Sequence, residues 1–358
     1  MIRVVLITPT TPHRGGIAHF GTLLAHHLGK HYQLVTWGFR RLYPAWLFPG
    51  STAPDPSHHT VQCTVDTWID ALNPWSWWYA WRYMPGVDRI IWQWWSPFWI
   101  PFILFVTWQA RRRRIPTIAI CHQLVEPDAA EWQARIACWV LARADAVLFL
   151  GEAPSQWETP YRICALPSFD ALIRDIPSKS EARQHLRINH DTPVVLCFGF
   201  VRDYKGIDTI IHAMAESRVA YHLIIAGEWW PLRIDMRRLV NTYAIAHRIH
   251  IYDHYIPNEQ VATYFVAADV VVLPYRRGNV SGVASLAQVF GIPIITSNVG
   301  ALSGNTPPYA SLPSDDISAW RTTLDRFFTT PPQTTTAHTT GWDACLTALT
   351  SLVNESAL

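Results

Sequence analysis

No two of the six cysteines form a Cys-x-x-Cys pair, and two of them, Cys121 and Cys197, lie inside apolar strand-like runs. That spacing suits neither a disulfide framework nor a zinc site, so reduced core thiols are expected. Charge of one sign is also scarce. The net charge is +2 over 358 residues, too little for bulk attraction to nucleic acid or to an acidic scaffold. MIRVVLITP runs straight into the first strand, so no signal peptide and a cytoplasmic location are the expectation. The dinucleotide fingerprint is missing too. The first βα turn reads TPTTPHRGGIAHF (8–20), which is not G-x-G-x-x-G, and no acidic residue closes the next strand, Gln33–Trp37.

Tryptophan is in excess: there are 19, of which 15 precede residue 160. They cluster in NPWSWWYAW (73–81) and WQWWSPFWIPFILFVTW (92–108). The second cluster lies in a stretch without charge from Ile90 to Ala110, followed by Arg111–Arg114. By length it resembles a membrane span, but Pro97 and Pro101 would break a helix within it. Two readings stay open. One is a strand at Ile90–Trp94, a buried helix and a solvated basic turn. The other is a Trp/Arg surface lying at a bilayer interface, in a peripheral membrane protein.

Strand-like runs alternate with helical patterns throughout, the signature of βα units around parallel sheets. Strands are expected at Arg3–Thr8, Gln33–Trp37, Arg89–Trp94, Thr117–Cys121, Ala146–Leu150 and Arg162–Ala165. The second half repeats the series at Val194–Phe198, His222–Ala226, Ile249–Tyr252, Val270–Leu273 and Ile292–Thr296. Helices are expected at Ile17–Leu28, Pro101–Arg112, Asp128–Ala142 and Pro154–Thr159, then at Ile207–Ala215, Leu232–Ala246, Asn258–Ala267 and Val283–Phe290. Gly38–Trp68 reads as loop. The domains expected are 1–170, a polar linker 171–192, 193–330, and a tail 331–358 with a linker and a last helix packing back toward the first domain. Two doubly wound Rossmann-like domains facing a central cleft are the natural result, with ligands at strand C-termini.

The candidate chemistry is strongest in VVLCFGFVRDYKGIDTIIHAM (194–214), where strand, glycine turn and helix succeed one another and the turn carries Arg202 and Lys205. Helix N-termini offer unpaired N–H groups and partial positive charge to an anion. A cation pair on a loop is ordinarily just solvated, but three other strand-to-turn sites accompany this one. Gly15 and Gly16 open the first helix beside Arg14. Gly227 and Glu228 end the strand of IIAGE. Ser281, Gly282 and Val283 open a helix, where serine otherwise serves as an N-cap. His122 ends the fourth strand in ICHQLVEPD, placed to share a proton or bind a hydroxyl, and Glu126 and Asp128 follow on its loop.

Together GGIAHF, ICHQ, FGFVRDYKGIDTII, LIIAGE, YIPNEQVATYFVAADVVVLPYR and SGVASLAQVFGIPIITSNVGAL resemble retaining glycosyltransferases of family 4, the group 1 glycosyl transferases of GT-B fold. The resemblance implies a hexosyltransferase using a nucleotide-sugar donor, UDP- or GDP-linked, with no metal or other cofactor. It fits that no Asp-x-Asp occurs. It also implies that Gly15 and Gly16 lie near the donor diphosphate and sugar, that His122 contacts the transferred sugar, and that Lys205 binds the diphosphate. Arg202 reaches the same phosphate, although Phe200 holds the family's usual arginine position, and Ser281, Gly282 and Val283 meet the diphosphate by their amides. Two glutamates usual in the family are replaced by Gly278 and Leu286. A glycan or lipid-linked acceptor in envelope polysaccharide or glycolipid synthesis is implied, with Arg14, Glu126 and Asp128 on its side. Alternatives are a catalytically silent GT-B partner and another GT-B activity such as sugar-nucleotide epimerisation.

Overall fold

The computed structural model describes residues 2–47, 50–84, 86–125, 132–300, 302, 307–330 and 341–355. The chain divides into two compact units. The first comprises Met1–Pro56, Thr60–Pro167 and Gly341–Leu358; the second comprises Ser57–His59 and Ser168–Thr340.

The first unit is a seven-stranded parallel sheet. Its strands are β1 (Arg3–Ile7), β2 (Gln33–Arg41), β3 (Asp66–Asp70), β4 (Arg89–Trp94), β5 (Thr117–Cys121), β6 (Ala146–Leu150) and β7 (Tyr161–Cys164). Helices α1 (Gly16–Leu28), α2 (Pro74–Arg82), α3 (Ile100–Arg113) and α4 (Trp132–Leu141) connect them. The spatial order is β3-β2-β1-β4-β5-β6-β7. Strands covered on both faces must be apolar throughout, and β5 and β6 are buried at every position. Because βα crossovers are right-handed, the three connections running from β3 to β6 all lie on one face, so α2, α3 and α4 are neighbours.

The second unit opens with α5 (Lys179–His185) and holds a six-stranded parallel sheet. Its strands are β8 (Val194–Phe198), β9 (His222–Ala226), β10 (Ile249–Tyr252), β11 (Val270–Leu273), β12 (Ile294–Ser297) and β13 (Ala310–Leu312). The helices are α6 (Ile207–Glu216), α7 (Met236–Thr242), α8 (Asn258–Ala267), α9 (Gly282–Val289) and α10 (Ile317–Thr329). Its order, β10-β9-β8-β11-β12-β13, has the same pattern as the first sheet. The last helix, α11 (Trp342–Glu355), belongs to the first unit: Trp342 stacks on His27 at 4.8 Å and lies 5.3 Å from Phe20, and Glu355 pairs with Arg162 at 2.6 Å. The expected α/β architecture of two Rossmann-like sheets is what the chain adopts.

Several elements differ from the sequence reading. There is no helix at Pro154–Thr159: the segment is turn and coil, and Trp157 folds edge-on against Phe149 at 5.2 Å. Gly38–Trp68 is not all loop, since β2 continues to Arg41 and pairs with β3 from Asp66. Helix α7 is shorter than Leu232–Ala246, capped by Asp235 and ended before Ala244, whose φ is 54°. Helix α5 interrupts the polar stretch read as a linker. Its capping box has the Ser178 hydroxyl accepting from the Glu181 N–H while the Glu181 carboxylate accepts from Ser178. Helix α2, also unforeseen, starts with Asn73 as N-cap and Pro74 in the first turn.

The tryptophan run splits by environment. Trp92 and Trp94 are buried in β4 and Trp99 beneath the start of α3, so the strand reading holds for Ile90–Trp94. Trp108 on α3 is exposed. Among the described residues no helix is long and apolar enough to cross a membrane.

Candidate functional site

In each sheet the crossovers leave the first strand in opposite directions, so the loops after two adjacent strands part at their C-terminal ends. In the second unit these strands are β8 and β11. The β8 turn needs glycine at Gly199 and Gly206, with φ of 85° and 63°, and the neighbouring β9 end needs it at Gly227, with φ of 146°. A Cβ on Gly206 would lie 2.1 Å from the Pro274 carbonyl oxygen, so the β8 and β11 loops meet closer than any side chain permits. Arg276, on the β11 loop, locks that approach. Its backbone N–H donates to the Tyr204 carbonyl at 2.7 Å, and its guanidinium grips both Asp208 carboxylate oxygens at 3.0 and 2.5 Å.

Lys205 lies inside this frame. Its Nζ is buried, donates to the Phe198 carbonyl oxygen at 2.9 Å, and sits 5.5 Å from the centre of the Tyr275 ring. Nζ is also 3.0 Å from where a Gly199 Cβ would be, so that glycine makes room for the amine. Burial pulls the Lys205 pKa down to about 7; Cys197 opposes the shift and Arg202 adds to it. Arg202 is half-buried, its guanidinium 4.7 Å from the Trp230 ring and 5.0 Å from the Tyr204 ring. Ser281 is the N-cap of α9, its hydroxyl accepting from the Ala284 N–H at 3.4 Å and hydrogen-bonded to the Tyr275 side chain. Gly282 packs against Phe169, where an added Cβ would come within 2.9 Å of the ring, and the Val283 side chain faces Gly199. Glu228 adjoins the same turn through its carbonyl, which accepts from the Val201 N–H at 2.9 Å. Lys205, Ser281 and Val283 therefore converge around Gly199 and Tyr275, with Arg202 on the neighbouring aromatic pair.

In the first unit the equivalent strands are β1 and β4. Gly15 (φ 97°) caps α1 without any side-chain hydrogen bond, and a Cβ on Gly16 would have nothing within 4 Å. Arg14 donates from Nε to the Pro54 carbonyl at 3.1 Å, which directs it along its own surface. His122 is buried after β5, with the Phe20 ring edge-on at 4.7 Å. Its Nε2 lies 2.6 Å from Gln93 Oε1, Gln93 Nε2 donates to Thr8 Oγ1 at 2.5 Å, and the Thr8 hydroxyl donates to the Pro9 carbonyl at 2.9 Å. This chain has one consistent direction. Thr8 spends its proton on Pro9, Gln93 spends its amide N–H on Thr8, and Gln93 Oε1 must accept, so His122 carries its proton on Nε2. Burial pushes the His122 pKa down to about 3, keeping the ring neutral with Nδ1 as an acceptor. Glu126 and Asp128 lie outside the described residues.

Gln93 and Thr8 were not foreseen, although one polar residue inside the buried strand IIWQWW signals a required partner. Tyr275, Trp230 and the Arg276–Asp208 clamp carry no such local signal. Gly278 and Leu286, at the positions of the expected glutamates, offer no carboxylate; Leu286 is half-buried against the apolar core. Among the described residues no group of three or more His, Cys, Asp or Glu could hold a metal ion.

Residues 178–304 match the family model Glycosyl transferases group 1. The match lies within the second unit and includes Arg202, Lys205 and the start of α9. The chain is similar to D-inositol 3-phosphate glycosyltransferase 1 of Catenulispora acidiphila, 27% identical over 226 residues, covering 54% of this chain and 53% of that protein. It is also 28% identical over 142 residues to D-inositol 3-phosphate glycosyltransferase of Xylanimonas cellulosilytica, covering 37% of this chain and 33% of that one. The chain thus spans about half or less of the length of these curated relatives. Among solved structures, the sucrose-phosphate synthase of Thermosynechococcus elongatus superposes with a TM-score of 0.73 at 20% identity over 99% of each chain. Anabaena HepE in complex with UDP-glucose superposes at 0.67 with 14% identity, over 100% of this chain and 98% of that one. The fold is that of GT-B proteins.

Proposed function

We propose that the chain transfers a glycosyl group from a nucleotide diphosphate sugar, with UDP or GDP as the nucleotide. Lys205 carries the reading. A buried amine at a switch point, with its pKa near neutrality, gains most when a diphosphate restores its charge, and such preorganised electrostatics is commonly the largest catalytic contribution. The amides of Ser281, Gly282 and Val283 and the Arg202 guanidinium add positive potential for the departing nucleotide, with Glu228 on the adjoining turn. On this reading 193–330 is the donor-binding domain and 1–170 the acceptor domain. Gly15 and Gly16 approach the donor, and His122 accepts a hydrogen bond from a hydroxyl of the transferred sugar. Arg14, Glu126 and Asp128 serve the acceptor, a glycan or lipid-linked molecule of the cell envelope. Retention of configuration is the expected outcome, and no metal is needed because the protein's own cations meet the diphosphate. We place this activity at the cytoplasmic face.

A second reading is favoured by Gly278 and Leu286: without carboxylates for the ribose, the chain would act as a silent GT-B partner. A thermal-shift panel of UDP-, GDP-, ADP- and dTDP-sugars on wild type and Lys205→Ala separates the two. A native-state ligand at a hundredfold excess over its Kd adds about 2.7 kcal/mol. A shift with one nucleotide, lost in Lys205→Ala, is the outcome expected of a transferase. Unmoved melting with every donor puts the silent partner first.

A further inference from the structure

The exposed aromatics are distributed unevenly. Among the described residues, fifteen large hydrophobic side chains are exposed; twelve of them are in the first unit, including each exposed tryptophan. Six of those twelve, five of them tryptophans, fall on the three helices that share one sheet face. On α2, Trp75, Trp78 and Tyr79 recur at helical spacing with Tyr83 just beyond, while Ala80 and Trp81 of the same helix are buried. On α4, Trp132 and Trp139 are two turns apart. With Trp108 of α3 these side chains are 46 to 79% exposed. A soluble surface rarely concentrates large aromatic groups to this degree without a partner.

The charge on the same helices is of one sign. The sequences PWSWWYAWR, IPFILFVTWQARRR and WQARIACWVL contain no aspartate or glutamate, but they contain Arg82, Arg111, Arg112, Arg113 and Arg135. Arginine and tryptophan are interleaved. Arg112 lies 4.9 Å from the Trp108 ring, Arg113 5.0 Å from Trp81, and Arg143 3.3 Å from Trp139. The helices are joined side by side, α2 to α3 through Trp77 and Phe102 at 5.4 Å, and α3 to the turn just past α4 through the Arg111 guanidinium donating to the Arg143 carbonyl at 3.1 Å. Tryptophan prefers the headgroup layer, where its ring is half in apolar and half in polar surroundings, and arginine beside it meets lipid phosphate.

We propose that the face formed by α2, α3 and α4 docks onto an anionic phospholipid surface, lying in the headgroup layer without spanning it. A protein partner would call for mixed charge; among the described residues, α2, α3 and α4 carry arginines and no acid. The inference stands independently of glycosyl transfer, since it concerns helices that carry none of the candidate donor-binding residues.

The test is co-sedimentation of the full chain with vesicles of phosphatidylcholine alone and of phosphatidylcholine with 30% phosphatidylglycerol. Binding to the anionic vesicles and little to the neutral ones is expected. The double variant Arg111→Gln/Arg112→Gln should lose about fivefold in vesicle affinity per arginine. Trp75→Ser/Trp78→Ser should abolish retention at moderate salt. Both variants alter exposed side chains, and unchanged melting of each in the absence of lipid confirms an intact fold. Equal binding to neutral and anionic vesicles, or no loss in either variant, overturns the proposal. A doubled mass in sedimentation equilibrium that Trp75→Ser/Trp78→Ser returns to the monomer also overturns it, because the face would then be a dimer contact.

Discussion

Strand β8 ends in a loop that presents buried and half-buried cations, whereas β1, β4 and β5 end around a neutral hydrogen-bonded chain. The two sheets share the order in which their strands are laid down, yet Lys205 and Arg202 occupy one switch point while Thr8, Gln93 and His122 occupy the region of the other. Burial acts on both in the same sense, lowering a basic pKa, and with opposite consequences. Lysine falls from far above neutrality to about 7 and stays responsive to an anion; histidine falls to about 3 and is fixed as a neutral acceptor. On the proposed function, one fold thereby separates recognition of charge from recognition of hydroxyl groups, by choosing which base it desolvates.

The contrast is broken most severely at Lys205. Lys205→Ala should lower donor-dependent kcat/KM by about 10²–10³-fold, the usual cost of one preorganised charge partner. Lys205→Met should lose as much activity but melt higher without ligand, since no cation is then buried. Next comes Gly206→Ala. A Cβ 2.1 Å from the Pro274 oxygen, at φ 63°, should destabilise the second unit by about 2–4 kcal/mol in chemical denaturation. Gln93→Leu strikes the neutral chain, leaving the His122 N–H without its acceptor, for about 1–3 kcal/mol; ¹⁵N imidazole shifts would show the Nε2–H tautomer no longer enforced.

The pH response sharpens the comparison further. Unfolded Lys205 keeps its proton up to 10.5, and the folded residue gives it up above about 7. Over that window the unfolded state binds more protons, so stability rises with pH, by up to about 1.4 kcal/mol per unit, and the penalty is complete below pH 7. The rise should vanish in Lys205→Met. A diphosphate ligand should reverse the shift, so calorimetry at pH 8.5 in two buffers should detect uptake approaching one proton. The smallest effect is at Gly16. With open space at its Cβ position, Gly16→Ala should change stability by less than about 0.5 kcal/mol. If a ligand occupies that space, the donor KM rises all the same.

The sheets were readable from the sequence because strands buried on both faces, such as Val194–Phe198 and Thr117–Cys121, are continuous apolar runs bounded by turn residues. Helix α5 was missed through its polarity, although Ser178 and Glu181 spell a capping box three residues apart. In α2 the tryptophans obscured the Asn73–Pro74 start. Lys205 was legible as a cation in a glycine turn; its burial was not, because that depends on Tyr275 and Pro274, seventy residues further on. His122 could be placed at a strand end. Its tautomer could not, since that is set by Gln93 on β4 and by Thr8 just past the end of β1.

The return of the chain for α11 has a consequence for synthesis. Trp342 abuts Phe20 and His27, and Phe20 in turn backs the His122 ring. On the ribosome the first unit therefore waits for some 170 residues of the second to emerge before its final helix arrives. The second unit behaves as a long insertion that can fold ahead of its host. A frameshift or protease cut after residue 330 would spare the Lys205 turn and strip the support from His122, roughly two hundred residues upstream.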